Sequence, residues 1–379
     1  MLGRRHTRAL RLTLELATPG GWPTRQMPNM MATHRQPTAE RRLAAVAKHV
    51  TATTTTTYTG PVVDCHHHFL EPSRFDGHHK ILADALAVNA APGTSAALPT
   101  FAPEDYFRQF MVEARVNIVS SVYMEVIADN YVDEVSYVEG LATTGRWPWA
   151  GAVVGCANPA APDFEETLRA LLAASPKMRG IRWILNFPGF ITGAAGRPGM
   201  DYLKSQEFLS GYPLLAKYGL VFDLQLNASQ LLEAAAFIAK VPEVPVCLEH
   251  IGMPVLWPAD QSSLDEAALS QWRIGMQTMG ALPHVVCQLD EFNWAVTGWW
   301  KTPARVAVIR SMVHECITWF GTDRCMFASN FPFGGEGLSA SILFQHLTEF
   351  VAELPAMQQK QLFHDTASRF YSIETGAGT

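Results

Sequence analysis

From about residue 60 onward, short β-branched and apolar runs recur along the chain, each closed by polar or glycine-bearing residues. They predict strands over Val62–Cys65, Ile118–Val126, Ala150–Cys156, Gly180–Leu185, Leu220–Leu226, Val244–His250, Val285–Leu289 and Cys325–Ser329. Apolar residues at helical spacing predict helices near 130–145, 163–174, 202–218, 228–240, 262–281, 303–320, 337–352 and 356–371. Strand-then-helix repeated in this way implies a parallel sheet. At 379 residues a closed (β/α)8 TIM barrel fits better than an open doubly wound sheet.

Residues 1–59 lack the alternation, and the expected organisation is a disordered N-terminal extension over 1–59 followed by a barrel over 60–379. The opening MLGRRHTRALRLTLELATPGG is arginine-bearing and nearly acid-free, as an organellar transit peptide is, while TATTTTT at 51–57 reads as a linker. A mitochondrial or other organellar location follows if the extension is real. Met27, Met30 and Met31 offer later starts, which would make the extension a gene-model artefact and the protein cytoplasmic.

Composition narrows the function classes. Hydrophobic residues make up 48% and charged residues 17%, which excludes a largely disordered chain. The net charge of −6 divides unevenly: residues 1–60 hold nine Lys/Arg and two Asp/Glu, the rest twenty and thirty-three. So acidic a body speaks against nucleic acid as a partner and for a small-molecule substrate. No apolar run reaches the length of a membrane span, so no membrane partner is expected, and a homo-oligomer is left open. Six cysteines without C-x-x-C spacing, mostly in apolar runs, read as reduced, buried thiols. Neither G-x-G-x-x-G after the first strand, nor a Walker G-x-x-x-x-G-K-[ST], nor G-x-S-x-G occurs, so nucleotide cradles and a serine-hydrolase elbow are not in view.

In a barrel, chemistry gathers at the carboxyl ends of the strands. The first strand ends Asp64-Cys65-His66-His67-His68, and period-two alternation would turn His66 and His68 toward the mouth, with Cys65 and His67 toward the helices. Two imidazoles on one face make half a metal site. Glu125, Arg182, Gln225, His250, Asp290 and Asn330 end later strands, and their convergence with the histidine pair is what a site requires. His250 should share the mouth, with Glu249 facing away if that strand is regular. A carboxylate such as Glu125 at the end of an apolar strand needs a metal, a substrate or a cation. Arg182 can grip a substrate carboxylate or pair with Glu125 or Asp223. Asp290 shares parity with Gln288 and reads either as the site's acid or as a loop hydrogen-bonder. Trp257, Trp294, Trp299, Trp300, Phe331 and Phe333 follow late strands, where they would either wall an apolar pocket or pack helices on the barrel. A pocket so walled suits a flat or hydrophobic substrate better than a bare sugar acid.

These residues resemble the amidohydrolase superfamily, in particular the amidohydrolase-2 branch of lactonases, pyrone-dicarboxylate hydrolase and related decarboxylases. The resemblance runs from about Gly60 to Tyr371 and rests on VVDCHHHF at 62–69, GIR at 180–182, FDLQ at 222–225, EHIGMP at 249–254 and CMFASNFP at 325–332. It implies that His66 and His68 form the first-strand motif, that His250 is the sixth-strand histidine, and that Asn330 stands where an Asp base is usual. An amide cannot hold a proton in that role, so the base passes to His250 or Asp290. Gln225 stands where many members carry a metal-binding histidine. One divalent metal, zinc first, and metal-independent catalysis both stay open.

The leading expectation is a hydrolase that opens a lactone or similar cyclic ester. In it Arg182, His250 or a metal on His66 and His68 stabilises the oxyanion, and Gln225, Glu125 and Trp294 contact substrate. The alternatives are a non-oxidative decarboxylase of an unsaturated or aromatic acid on the same fold and a non-catalytic ligand-binding barrel.

Overall fold

The computed structural model describes residues 58–71, 82, 98, 100–189, 200–335 and 337–374. All lie in the second of two units, Thr55–Thr379. The extension expected over 1–59, with its transit and linker readings, falls outside the described residues except for its last two.

Eight parallel strands follow one another in sequence order around a nearly closed barrel. They are β1 Val62–His67, β2 Ile118–Met124, β3 Ala150–Cys156, β4 Met178–Arg182, β5 Val221–Leu224, β6 Val246–Leu248, β7 Val285–Leu289 and β8 Cys325–Phe327. Each lies where its β-branched run predicts, and the helices alternate with them as expected. The elements not anticipated include a short helix over Phe292–Ala295 and, before β2, a helical segment over Pro103–Tyr106 that continues with π-type bonding over Phe107–Glu113. In the Pro103–Tyr106 segment, proline and two acids suit the first helical turn, where no N–H is missed and the helix dipole favours negative charge.

Alternation along the strands sorts side chains into two cores. Inside the barrel, Val63, Val122, Val154, Cys247 and Met326 pack together, and Tyr371 near the C-terminus joins the same cluster. Outside, strand residues such as Tyr123, Ile181, Phe222 and Leu248 meet the surrounding helices. All six cysteines are buried and free, as the apolar runs that hold most of them predict.

The seam between β1 and the segment after β8 is closed by backbone bonds. Asn330 N–H donates to His66 O at 2.8 Å, and His68 N–H donates to Phe331 O at 2.9 Å. Asp64 clamps the same seam: it accepts from Ser329 N–H at 2.9 Å, Ser329 Oγ at 2.6 Å and the Tyr106 hydroxyl at 2.5 Å. Burial pushes the Asp64 carboxyl up to about 6, against the lowering effect of these donors. Among the described residues no helix is long and apolar enough to cross a membrane.

Candidate active site

A cavity of about 690 Å³ opens at the carboxyl ends of the strands. Six of the nine residues singled out from sequence line it: His68, Arg182, Gln225, His250, Asn330 and Trp294. His66, Glu125 and Asp290 lie against those six, in contact with them but off the cavity surface. Of the late aromatics, Trp294 and Phe333 reach the cavity, while Trp299 and Phe331 are buried in the outer core.

Backbone geometry marks the same place. Among the described residues, eight non-glycine positions have positive φ, and five of them, Ile127, His250, Met253, Glu291 and Asn330, line the cavity. Left-handed backbone is costly for such residues and persists where the surroundings enforce it, commonly at functional sites.

Two expectations about side-chain direction are corrected by irregular backbone. The pairing of β1 with β2 shifts register between Asp64 and His67, so alternation is broken there. Cys65 therefore packs in the inner cluster with Val63 and Val122 and does not face the helices. His66 and His68 still meet at the mouth, and His67 points outward to Ser121 Oγ at 2.9 Å. On β6, regular alternation carries Cys247 and then Glu249 inward, contrary to the expectation that Glu249 faces away. His250 joins them because its φ of 56° turns its side chain back.

Glu249 is thus a site residue the sequence reading missed. It is fully buried, with Oε1 3.8 Å from His66 Nδ1 and Oε2 3.4 Å from Arg182 Nη1. The signal was present, since Glu249 ends an apolar strand just as Glu125 does. Glu291 was missed too: it lines the cavity at φ 50° and accepts from Asn330 Nδ2 at 2.5 Å. Arg182 donates through Nε to Glu125 Oε1 at 2.5 Å and through Nη1 to Gln225 Oε1 at 3.4 Å. Its charge is therefore shared between Glu125 and Glu249.

His250 has the bonding of an acid–base group. Asp290 Oδ1 accepts from its backbone N–H at 3.1 Å and from ring Nδ1 at 3.0 Å, while Nε2 makes no hydrogen bond and lies 3.6 Å from Glu249 Oε2. Burial lowers the affinity of this ring for a proton, but Asp290, Glu249 and Glu291 together raise its pKa to about 9.

The donor set fits a divalent cation. His68 Nδ1–H donates to Met124 O at 2.8 Å, so His68 Nε2 carries a lone pair. Gln288 Nε2 donates to Cys65 O and Tyr371, both at 3.3 Å, which turns Gln288 Oε1 toward His66 Nδ1–H at 2.9 Å. His66 Nε2 therefore also carries a lone pair. The two Nε2 atoms face each other at 3.2 Å, and Asn330 Oδ1 stands 3.1 Å from His68 Nε2. A proton between them is disfavoured. Burial, with His250, His68 and Arg182, holds His66 well below the usual histidine range, and burial with Arg182 does the same to His68. Nearby, Glu249 Oε1 and Asp290 Oδ2 are buried without hydrogen bonds, 3.8 and 3.9 Å from His66 Nδ1. Converging lone pairs beside unsatisfied carboxylate oxygens are what a bound cation relieves, and carbonyl partners on Nδ1 are how metal-binding imidazoles are usually held. His66, Glu249 and His250 also keep their ligand atoms within 4.8 Å of one another. A cation there would oppose the rise of the His250 pKa.

Known proteins agree with this architecture. The sequence profile of the amidohydrolase family (Amidohydro_2) matches residues 63–373. An uncharacterized protein, y4mH, of Sinorhizobium fredii is 28% identical over 318 residues, covering 82% of this chain and 98% of its own length. L-fucono-1,5-lactonase of Burkholderia multivorans is 27% identical over 229 residues, covering 59% of this chain and 71% of its own. Among solved structures, an amidohydrolase of Burkholderia multivorans crystallised with bound zinc superposes with a TM-score of 0.64 at 23% identity, over 83% of this chain and all of the other. With the profile spanning the whole barrel, from the first-strand histidines past Tyr371, the chain belongs to the amidohydrolase family.

Proposed function

We propose that the protein hydrolyses a lactone or similar cyclic ester, water attacking the carbonyl at the mouth of the barrel. The observation that carries this reading is the His250–Asp290 pair, in which Asp290 holds Nδ1 and leaves Nε2 without a hydrogen bond, in a cavity that His250 lines together with His68 and Asn330. The 27% identity to a lactonase supports it.

In its neutral form, which a cation on His66 and His68 would favour, His250 Nε2 takes a proton from the attacking water while Asp290 holds the Nδ1–H and offsets the charge of the imidazolium that forms. The same proton then passes to the ring oxygen as the carbonyl carbon–oxygen bond breaks, giving a hydroxy acid. Asn330 cannot be the base, but its Oδ1 accepts from a water or substrate hydroxyl at the cavity floor. Asp290 acts through the imidazole, because it lies off the cavity surface with Oδ1 committed to His250. His66 and His68 would hold a zinc ion, with Glu249 and Asp290 the carboxylates nearest to His66. The chemistry that ion supplies when bound is polarisation of the carbonyl and stabilisation of the oxyanion. Imidazole ligation favours zinc over magnesium or calcium, which prefer oxygen donors.

Decarboxylation has weaker support, since it needs a cation to grip a substrate carboxylate and Arg182 is paired with Glu125 and Glu249. Acid release from a panel of lactones tests the reading. Wild-type protein is expected to turn over at least one of them, with His66→Ala and His250→Ala abolishing turnover while circular dichroism shows both folded. Full activity in both variants, or carbon dioxide as product, overturns it. Any turnover removes the non-catalytic reading.

A further inference from the structure

We infer that the substrate is uncharged and presents an apolar group of about the size of a phenyl ring beside its cyclic ester. This rests on the lactone reading and specifies what that site admits.

Charge is the first argument. Among the described residues in and under the cavity, the one permanent cation is Arg182, against the carboxylates Glu125, Glu249, Asp290 and Glu291. Arg182 is paired with Glu125 at 2.5 Å and Glu249 at 3.4 Å, and His250 with Asp290 at 3.0 Å. An ion on His66 and His68 would be answered by the two carboxylate oxygens that now lack hydrogen bonds. Among the described residues no cation is left over for a substrate carboxylate, which would be desolvated without a partner.

Hydrogen-bonding capacity is the second. The amides that line the cavity are turned on one another. Gln225 Nε2 donates to Asn186 Oδ1 at 3.3 Å, Asn186 Nδ2 to Asn227 Oδ1 at 2.7 Å, and Asn227 Nδ2 to Pro188 O at 2.9 Å. Beyond the one hydroxyl that Asn330 Oδ1 can accept from, a polyhydroxylated ring would have to compete with this relay to satisfy its hydroxyls. Away from the strand-end residues His68, Arg182, His250, Glu291 and Asn330, the wall carries the apolar side chains Ile127, Ile184, Met253, Trp294 and Phe333. Trp294 keeps 40% of its surface exposed, so a flat apolar group stacked on it would gain by covering that ring.

Calorimetric binding of three non-hydrolysable lactams of one ring size, carrying a phenyl, a carboxylate or several hydroxyls, tests this on the full-length protein as purified. The phenyl lactam is expected to bind at least about tenfold more tightly than the other two. Trp294→Ala should erase most of that preference, and Trp294→Lys, at a half-exposed position the fold tolerates, should tighten the carboxylate lactam. Equal or tighter binding of the carboxylate or polyhydroxy lactam overturns the inference. Turnover of the matching lactones separates the two levels. Hydrolysis of the polyhydroxy lactone in preference to the phenyl one upholds the lactone reading and overturns this inference. Tight phenyl-lactam binding with no lactone hydrolysed upholds the inference about the pocket and overturns the lactone reading.

Discussion

One oxygen of Asp290, Oδ1, accepts both the backbone N–H and the ring Nδ1–H of His250, at 3.1 and 3.0 Å. The carboxylate thereby fixes the left-handed backbone of His250 and the tautomer of its ring together. Asp290→Asn keeps a similar shape but presents either a weaker acceptor or an NH₂ to Nδ1. Turnover should fall roughly 10²- to 10⁴-fold with the fold retained, as for loss of acid–base catalysis. Loss of less than threefold in a steady-state assay would remove the pair from the mechanism.

That pair also sets a pH dependence. The folded-state pKa of His250, about 9, lies above the ordinary 6.5. Its contribution to stability is therefore fully present below pH 6.5 and is lost as the pH rises through 9. In chelator-treated protein the urea midpoint should decline across that window, and His250→Gln should flatten the decline. Restoring zinc should move the window to lower pH, because a nearby cation disfavours the imidazolium. A midpoint that rises between pH 6.5 and 9 in ion-free wild type would contradict the assignment.

Elemental analysis bears on the histidine pair. Untagged protein should carry about one divalent ion per chain, and His68→Ala should carry almost none. Gln288→Leu removes the partner of His66 Nδ1 and should weaken metal affinity roughly 10- to 100-fold while leaving both ligands in place. Stoichiometric metal in His68→Ala would place the ion elsewhere.

Asn330 makes a sharper case. Restoring an acid by Asn330→Asp would set a carboxylate against Glu291, whose Oε2 now accepts from Asn330 Nδ2 at 2.5 Å. Activity should drop, and Glu291→Gln in the same chain should recover it by making the donor and acceptor complementary again. A gain of activity from Asn330→Asp alone would show that the amide is not matched to its surroundings.

How much of this was legible in the sequence depends on regularity. Ala150–Cys156 and Val285–Leu289 coincide with their predicted spans, and the Gln288–Asp290 parity holds, because those strands alternate without interruption. The direction of Cys65 was misread where β1 shifts register, and that of Glu249 where His250 turns left-handed, since neither break has a marker in residue type. Glu291 escaped notice for the same reason: it follows Asp290, and only a φ of 50° brings both neighbours into one site. Convergence of His66, His68, His250 and Asn330 was legible because each ends its strand, where barrel topology gathers side chains whatever the local irregularity.

Asp64 tests the scaffold apart from the chemistry. Asp64→Ala would strand the Ser329 N–H, the Ser329 hydroxyl and the Tyr106 hydroxyl in a buried seam. The expected loss is about 2–4 kcal/mol by denaturant unfolding, with Asp64→Asn losing less because one acceptor remains. A change below about 0.5 kcal/mol would mean that the seam is held by its backbone bonds alone.

Hydrolysis in ¹⁸O-labelled water, followed by mass spectrometry of the product, asks the central question most directly. Attack on the carbonyl predicts one labelled oxygen in the new carboxylate and none in the released hydroxyl, in wild type and not in His250→Ala. Label in the hydroxyl, or loss of carbon dioxide from the substrate, would contradict it.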